Sequence, residues 1–322
     1  MGSLDTPHPG RLVTMTISRR HFLKGSAAVG VAASYSGLAP AAMAQEPHFR
    51  FPTRPVDRLA LTSYPFRAQM KSPENPTGMD LVQFAKMAIE KFDIHNINPI
   101  NRHVGSTDPH DLEKLRKEVE RAGSRFVGLG LSGWQFYSPD PAVGKASVES
   151  VKRWIDTAAI LGSPSVRPHL EKTEGVKPNI DRAARSLGEI ADYGARKNIV
   201  VNLENDNLVD EDLFLIIKII EKANNPYLRS LPDMGNSAGL GDPNYNGRGM
   251  EMMYRHAFNM SHVKGESTSD TGAVIKVDLA KTFGIAKASG YKGFFSMEHE
   301  SGKGDLVAGT RKLVAETLRY LS

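Results

Sequence analysis

The chain of 322 residues contains no cysteine, which excludes disulfides, thiolate metal ligands and a cysteine nucleophile together. It also lacks an apolar run long enough to span a bilayer, which needs roughly 20 residues. The stretch Gly25 to Ala33 is too short and too rich in glycine and alanine. No Gly-x-Gly-x-x-Gly follows the first β-like run, so the dinucleotide-binding turn of an open doubly wound sheet is missing. No segment is of low complexity, and no second domain is indicated. Charge of one sign is not in excess either. The whole chain carries 41 basic and 36 acidic residues, a net of +5, but residues 1–44 hold four of those bases and one of those acids. The rest is near +2, which gives no electrostatic reason to expect nucleic acid or a membrane surface as partner.

Residues 1–44 read as an address and not as structure. Ser18-Arg19-Arg20-His21-Phe22-Leu23-Lys24 resembles the bacterial twin-arginine export motif, and Ala42-Met43-Ala44 supplies a small-x-small cleavage site. Met15 offers a start that gives a leader of the usual length. The resemblance implies the twin-arginine translocase as a transient partner and a mature chain from Gln45 in the periplasm or secreted. Cargo of that route folds first in the reducing cytoplasm, which suits a chain without cysteine. The 278 residues that remain are enough to be held by a core, since a chain of ~300 buries about 75% of its unfolded surface.

From Arg58 onward one unit recurs: a short apolar run, a polar loop, then an amphipathic helix pattern. The runs are Leu59–Tyr64, Ile94–Asn98, Arg125–Leu131, Ser165–Pro168, Ile199–Glu204, Leu228–Asp233, Met260–Lys264 and Gly293–Glu298. Their C-terminal ends are 29 to 37 residues apart, the length of a βα unit. Continuous apolar runs suit strands covered on both faces. Helices are predicted over 79–91, 109–122, 146–161, 180–197, 211–223, 278–289 and 305–320, with a short one over 250–257. Asp80, Asp111, Asp181 and Asp278 begin several of them, and Gly123, Gly162 and Gly290 follow three. Eight near-equal units predict an α/β fold, a single (β/α)8 TIM barrel over residues 58–322, with 45–57 as an extended N-terminal arm.

In such a barrel, chemistry sits at the C-terminal ends of the strands. There the fifth to eighth runs place Glu204, Asp233, His262 and Glu298, four groups that closure would gather round one point. Three carboxylates and an imidazole suit a hard-to-borderline divalent cation, Mn²⁺, Mg²⁺ or Co²⁺, with Zn²⁺ also compatible. A lone strand-end glutamate is more often a salt-bridge or capping residue, so the signal lies in the set of four.

With these four residues the sequence resembles the xylose isomerase-like barrels, the sugar phosphate isomerase/epimerase family, over residues 58–320. The resemblance implies one divalent metal on Glu204, Asp233, His262 and Glu298, with Glu204 and Glu298 as the acid/base pair of the ketose epimerases. Two departures leave the quartet intact and bear on the substrate's hydroxyl contacts. Many relatives carry histidine three residues after the aspartate, where this chain has Asn236, and an acid after the seventh-strand lysine, where Gly265 follows Lys264. Around the quartet, Tyr64 and Phe66 are read as an apolar wall. Asn96, Asn98, Asn236 and Lys264 are read as hydroxyl contacts, and Trp134 as a stacking surface. Arg167 and His169 are read as groups that orient the substrate, with His299 and Glu300 supporting Glu298.

The expected function is a metal-dependent isomerase or epimerase that moves a proton next to a carbonyl of a small-molecule carbohydrate. β-Elimination from a 3-keto-glycoside shares that chemistry and is the alternative. An apurinic endonuclease of the same superfamily would need three zinc ions and extra histidines, but Asn236 fills one such position and 263–277 has none. A sugar-binding barrel without turnover is a further class, against which the intact quartet speaks. A homo-oligomer is compatible with the sequence and not demanded by it.

Overall fold

Eleven strands and eight helices are present among the described residues of the computed structural model, which are 46–172, 174–206, 212–238, 243–268, 273–300 and 304–322. The leader and its cleavage site lie outside them, and the described residues fall within one unit of the chain. The strands are β1 (Leu59–Thr62), β2 (Asn96–Asn98), β3 (Arg125–Phe126), β4 (Leu129–Trp134), β5 (Ser165–Leu170) and β6 (Val200–Glu204). They continue as β7 (Leu228–Leu231), β8 (Met260–Val263), β9 (Glu266–Thr268), β10 (Val274–Lys276) and β11 (Phe294–Met297). The helices are α1 (Leu81–Phe92), α2 (Pro109–Arg121), α3 (Pro141–Leu161) and α4 (Ile180–Ala195). The last four are α5 (Leu213–Ala223), α6 (Pro243–His256), α7 (Leu279–Ala288) and α8 (Leu306–Leu321).

Parallel pairing runs in the order β3-β2-β1-β11-β8 and again in the order β4-β5-β6-β7. Two seams join these arcs into the (β/α)8 barrel. Asp233 lies opposite His262 beyond β7, with Met234 N–H donating to the His262 carbonyl at 3.1 Å. Ile100 lies opposite Gly130, whose N–H donates to the Pro99 carbonyl at 2.9 Å. The third barrel strand is therefore two pieces, β3 and β4. Gly128 stands between the two pieces, where a Cβ would lie 2.8 Å from Asn98 Oδ1.

Local chemistry starts and stops the helices. Asp80 and Gln83 form a reciprocal capping box on α1, and Asp108, Asp140, Asn179, Asp212, Asp278 and Asp305 cap six others through side-chain oxygens. Gly123, Gly162 and Gly290 all have positive φ, at 84°, 73° and 73°. The outward faces of the strands carry Leu59, Leu61, Ile97, Val166 and Phe295 against the helices. A smaller cluster, Ala60, Val127, Leu231, Met260 and Phe294, is packed against Phe49 from the N-terminal segment. That segment is further tied by Arg229 to Glu46 at 2.6 Å and by Asn198 to the His48 backbone.

Three elements differ from expectation, the first being helix α3, which begins at Pro141, five residues before 146. Helix α6 begins at Pro243, earlier than 250, because Asn244, Asn246, Gly247 and Gly249 hide its apolar periodicity. The antiparallel hairpin of β9 and β10 follows β8 in a segment whose sequence shows neither a long apolar run nor a clear alternation.

Candidate metal centre and active site

The site is built by the two-residue period of strands. Residues i and i+2 share a face, so each inward strand end contributes a pair. The lower layer holds Glu204, His262 and Glu298, with Asp233 just beyond β7, and all four are buried. The upper layer holds Asp206, Lys264 and Glu300, two residues further along. Arg167 and His169 form the corresponding pair on β5.

The lower layer converges. One ligand atom from each of Glu204, Asp233, His262 and Glu298 lies within 4.8 Å of every other. His262 Nδ1 is 2.6 Å from Glu204 Oε1, 2.8 Å from Glu298 Oε2 and 3.8 Å from Asp233 Oδ2. Yet neither His262 Nδ1 nor Asp233 Oδ2 has a partner in hydrogen-bond alignment. Behind the ring, Nε2 meets the Asn98 amide at 2.8 Å. That contact, through the Asn98 amide nitrogen, holds the ring so that Nδ1 faces into the quartet. Asp233 is positioned as firmly. Its Oδ1 accepts from the N–H groups of Gly235 at 2.7 Å and Asn236 at 2.8 Å, while Asn205 bonds its backbone on both sides. Only Oδ2 remains free to point inward.

Electrostatics agree with a cation at the centre. Burial disfavours the charged His262, but the carboxylates of Glu204 and Glu298 outweigh it and lift the imidazole to about 10. Burial, with Glu204 and Glu298 nearby, pushes Asp233 up to about 7 against the pull of Lys264. Burial also opposes ionisation of Glu204 and Glu298, yet Arg167 and His262 hold the first well below its usual range, and Lys264 and His262 hold the second at about 2. Three buried carboxylates against one imidazole leave an excess of negative charge that a divalent ion relieves. The donor set and the unpartnered atoms fit such an ion.

Above the quartet lies a cavity of about 270 Å³, bordered by Tyr64, Arg102, Arg167, His169, Asp206, Asn236, Lys264 and Glu300 among others. Arg167 Nη1 is 2.8 Å from Glu204 Oε2, and Lys264 Nζ is 3.2 Å from Glu298 Oε1 and 2.6 Å from Asn236 Oδ1. His169 Nδ1 is 3.3 Å from Asp206 Oδ2. Burial and the neighbouring Arg167 push His169 down to about 3, so it is a neutral ring. Burial and Glu204 push Asp206 up to about 6.

The expected residues thus divide. Glu204, Asp233, His262 and Glu298 come together, and Tyr64, Arg167, His169, Asn236, Lys264 and Glu300 surround them. Asn98 supports His262 and does not line the cavity. Trp134 is also outside the cavity lining and packs half-buried against the hydrophobic core. Phe66 is buried against Phe84 and Phe92, and Asn96 lies at the opposite strand end, bonded to the carbonyls of Asp57 and Leu59. His299 turns away from Glu298 towards Gly309 and a separate cavity with Glu266 and Lys312. Asp206 and Asn205 were not singled out by the sequence reading. The two-residue period from Glu204 is the signal that could have found Asp206, but Asn205 acts on Asp233 from a neighbouring strand and leaves no local trace.

Residues 81–322 match the family of xylose isomerase-like TIM barrels, and residues 16–34 match the twin-arginine translocation signal. The chain therefore belongs to the xylose isomerase-like TIM barrel family and carries a leader for export across the membrane. A comparison with curated proteins gave no match. Among solved structures, a xylose isomerase-like TIM barrel protein from Mycobacterium smegmatis, in complex with magnesium, is 17% identical with a TM-score of 0.63, over 82% of this chain and 96% of its own. The D-allulose 3-epimerase from Methylomonas sp. is 18% identical with a TM-score of 0.64, over 84% of this chain and 100% of its own. The 3-keto-D-glucoside 4-epimerase from E. coli is 13% identical with a TM-score of 0.61, over 81% and 98%. At such identities the likeness is one of fold. No helix of the described residues is long and apolar enough to cross a membrane.

Proposed function

We propose that this protein is a divalent-metal-dependent isomerase or epimerase of a keto-sugar or related carbohydrate. The observation that carries the reading is the convergence of Glu204, Asp233, His262 and Glu298, of which Glu204 and Glu298 border a polar cavity. Support comes from structures of the same fold that are sugar epimerases. Those four residues would hold the ion, which when bound supplies Lewis acidity to a sugar carbonyl. Manganese, magnesium and cobalt suit the set, and zinc is compatible.

The proton work falls to Glu204 and Glu298. Each has its own cation, Arg167 at 2.8 Å and Lys264 at 3.2 Å, which keeps it ionised as a weak base, and a carbonyl polarised by the ion would make the neighbouring C–H acidic enough for it. One carboxylate takes the proton from the carbon beside the carbonyl, and the other returns one. Return to the opposite face of the same carbon gives the epimer, and return to the former carbonyl carbon, with the adjacent hydroxyl proton passing to the former carbonyl oxygen, gives the isomer. His169, Asn236 and Lys264 border the substrate space and are the hydroxyl contacts of this reading. The exported chain is placed in the periplasm or outside the cell, cut after Ala44.

The test is solvent deuterium incorporation by the metal-loaded protein with a panel of free ketoses and 3-keto-glycosides. Deuterium at the carbon beside the carbonyl, with epimer or isomer formed, is the expected result. Exchange accompanied by loss of the glycosidic group would mark a lyase. No exchange with any member at full metal occupancy would sink the proposal.

A further inference from the structure

Among the described residues, each lysine and arginine that borders the cavity, Arg102, Arg167 and Lys264, has an acidic neighbour. Arg167 reaches Glu204 at 2.8 Å and Asp206 at 4.0 Å. Lys264 lies 3.2 Å from Glu298, 3.4 Å from Glu300 and 3.6 Å from Asp233. Arg102, at the mouth, is held by Glu74 at 2.5 Å. With the Arg102–Glu74 pair set aside, five described carboxylates face Arg167 and Lys264, with Arg67 over the Tyr64 ring at the edge, so even a divalent ion in the quartet leaves no positive excess. Among the described residues, the helix ends that follow the seventh and eighth strands are already occupied. In barrels of this class phosphate groups often bind at loops after the seventh and eighth strands, on a helix N-terminus. Here those ends belong to α7 and α8. Asp278 accepts from Lys281 N–H at 2.9 Å, and Asp305 accepts from Val307 and Ala308 N–H at 2.8 and 3.2 Å. Both helix ends therefore already hold a carboxylate.

We propose that the cavity takes an uncharged sugar, and that Asp206 and Glu300 are specificity-determining residues that exclude sugar phosphates and sugar acids. This deepens the carbohydrate reading of the site and rests on it. Each of the two stands two residues beyond a quartet glutamate, on the same inward face, and borders the space above the floor. Glu300 Oε1 is buried without a hydrogen-bond partner, an acceptor suited to a sugar hydroxyl. A neutral polyol brings O–H donors to such oxygens, whereas a phosphate brings only like charge. Like charges set against each other in a binding site reject the wrong partner strongly, here by roughly a hundred-fold.

The experiment is calorimetric binding of D-fructose and D-allulose and of their 6-phosphates, to apo and magnesium-loaded protein. Each neutral sugar should bind roughly a hundred-fold more tightly than its phosphate in both forms. In Glu300→Gln, and further in Asp206→Asn with Glu300→Gln, that ratio should fall by about ten-fold or more while thermal unfolding stays cooperative. The proposal is overturned if no neutral sugar binds more tightly than its phosphate, or if the ratio is unchanged in both folded variants. Preferential binding of the neutral sugars without deuterium exchange would leave this inference standing and remove the proton-transfer reading.

Discussion

Asn98 shows how one side chain can serve a site it does not border. Its amide nitrogen at 2.8 Å holds the His262 ring in place. Asn98→Ala should lower metal affinity by about 10–100-fold, measured by metal titration, while the fold persists. On the proposed metal reading, Asp233→Ala should lose most of the metal by elemental analysis. Glu298→Gln keeps an oxygen for coordination but removes the base, so deuterium exchange should fall by about 10²–10⁴-fold with metal still bound. Exchange at the wild-type rate would place the base elsewhere, with His169 next in line. A different histidine sets a pH response. His103 is buried with Nδ1 2.8 Å from Ser63 Oγ, and burial, then Arg102, pushes it from 6.5 to about 4. Between those values the unfolded chain binds more protons than the folded one. Its contribution is therefore whole above about pH 6.5 and is lost as pH falls towards 4. The drop in urea midpoint between about pH 7 and pH 4.5 should be smaller in His103→Gln than in the wild type. At this scale Glu204, Asp233, His262 and Glu298 were legible because strand ends are legible. Trp134 and Phe66 were not, since whether an aromatic faces a cavity or the core is settled by neighbours far along the chain.

Elements form here largely for local reasons, and these can be tested one at a time. The Asp80–Gln83 capping box has both hydrogen bonds, at 2.8 and 2.9 Å. Asp80→Ala should cost about 1 kcal/mol, a fall of about 2–4 °C in Tm for a chain of this size. Where helix meets strand, a Cβ on Gly194 would lie 2.3 Å from the carbonyl oxygen of Ile199. The obstacle is backbone, so Gly194→Ala should destabilise by roughly 1–3 kcal/mol, read as a lower urea midpoint. Helices with clean apolar spacing and an acidic cap were readable to within a few residues. The start of helix α6 is hidden in the sequence because its first turns carry glycine and asparagine, which mark turns by propensity.

For the whole molecule, export and metal are the levers. Arg19→Lys with Arg20→Lys should abolish export, and N-terminal sequencing of the exported form should read Gln-Glu-Pro. Metal in thousand-fold excess over its Kd should stabilise the fold by about 4 kcal/mol, which a chelator would remove and a melting curve would show. By itself the sequence determined the leader, the βα repeat and the four groups at the strand ends, since periodicity, caps and glycine stops are written in neighbouring residues. Only the tertiary structure decided what those groups face. Closure at the two seams sets His262 against Glu204 and Asn98, and pairs Arg167 and Lys264 with carboxylates from other strands. Those contacts join residues dozens to more than a hundred positions apart, and a hydrogen bond across a barrel depends on geometry that no local pattern encodes.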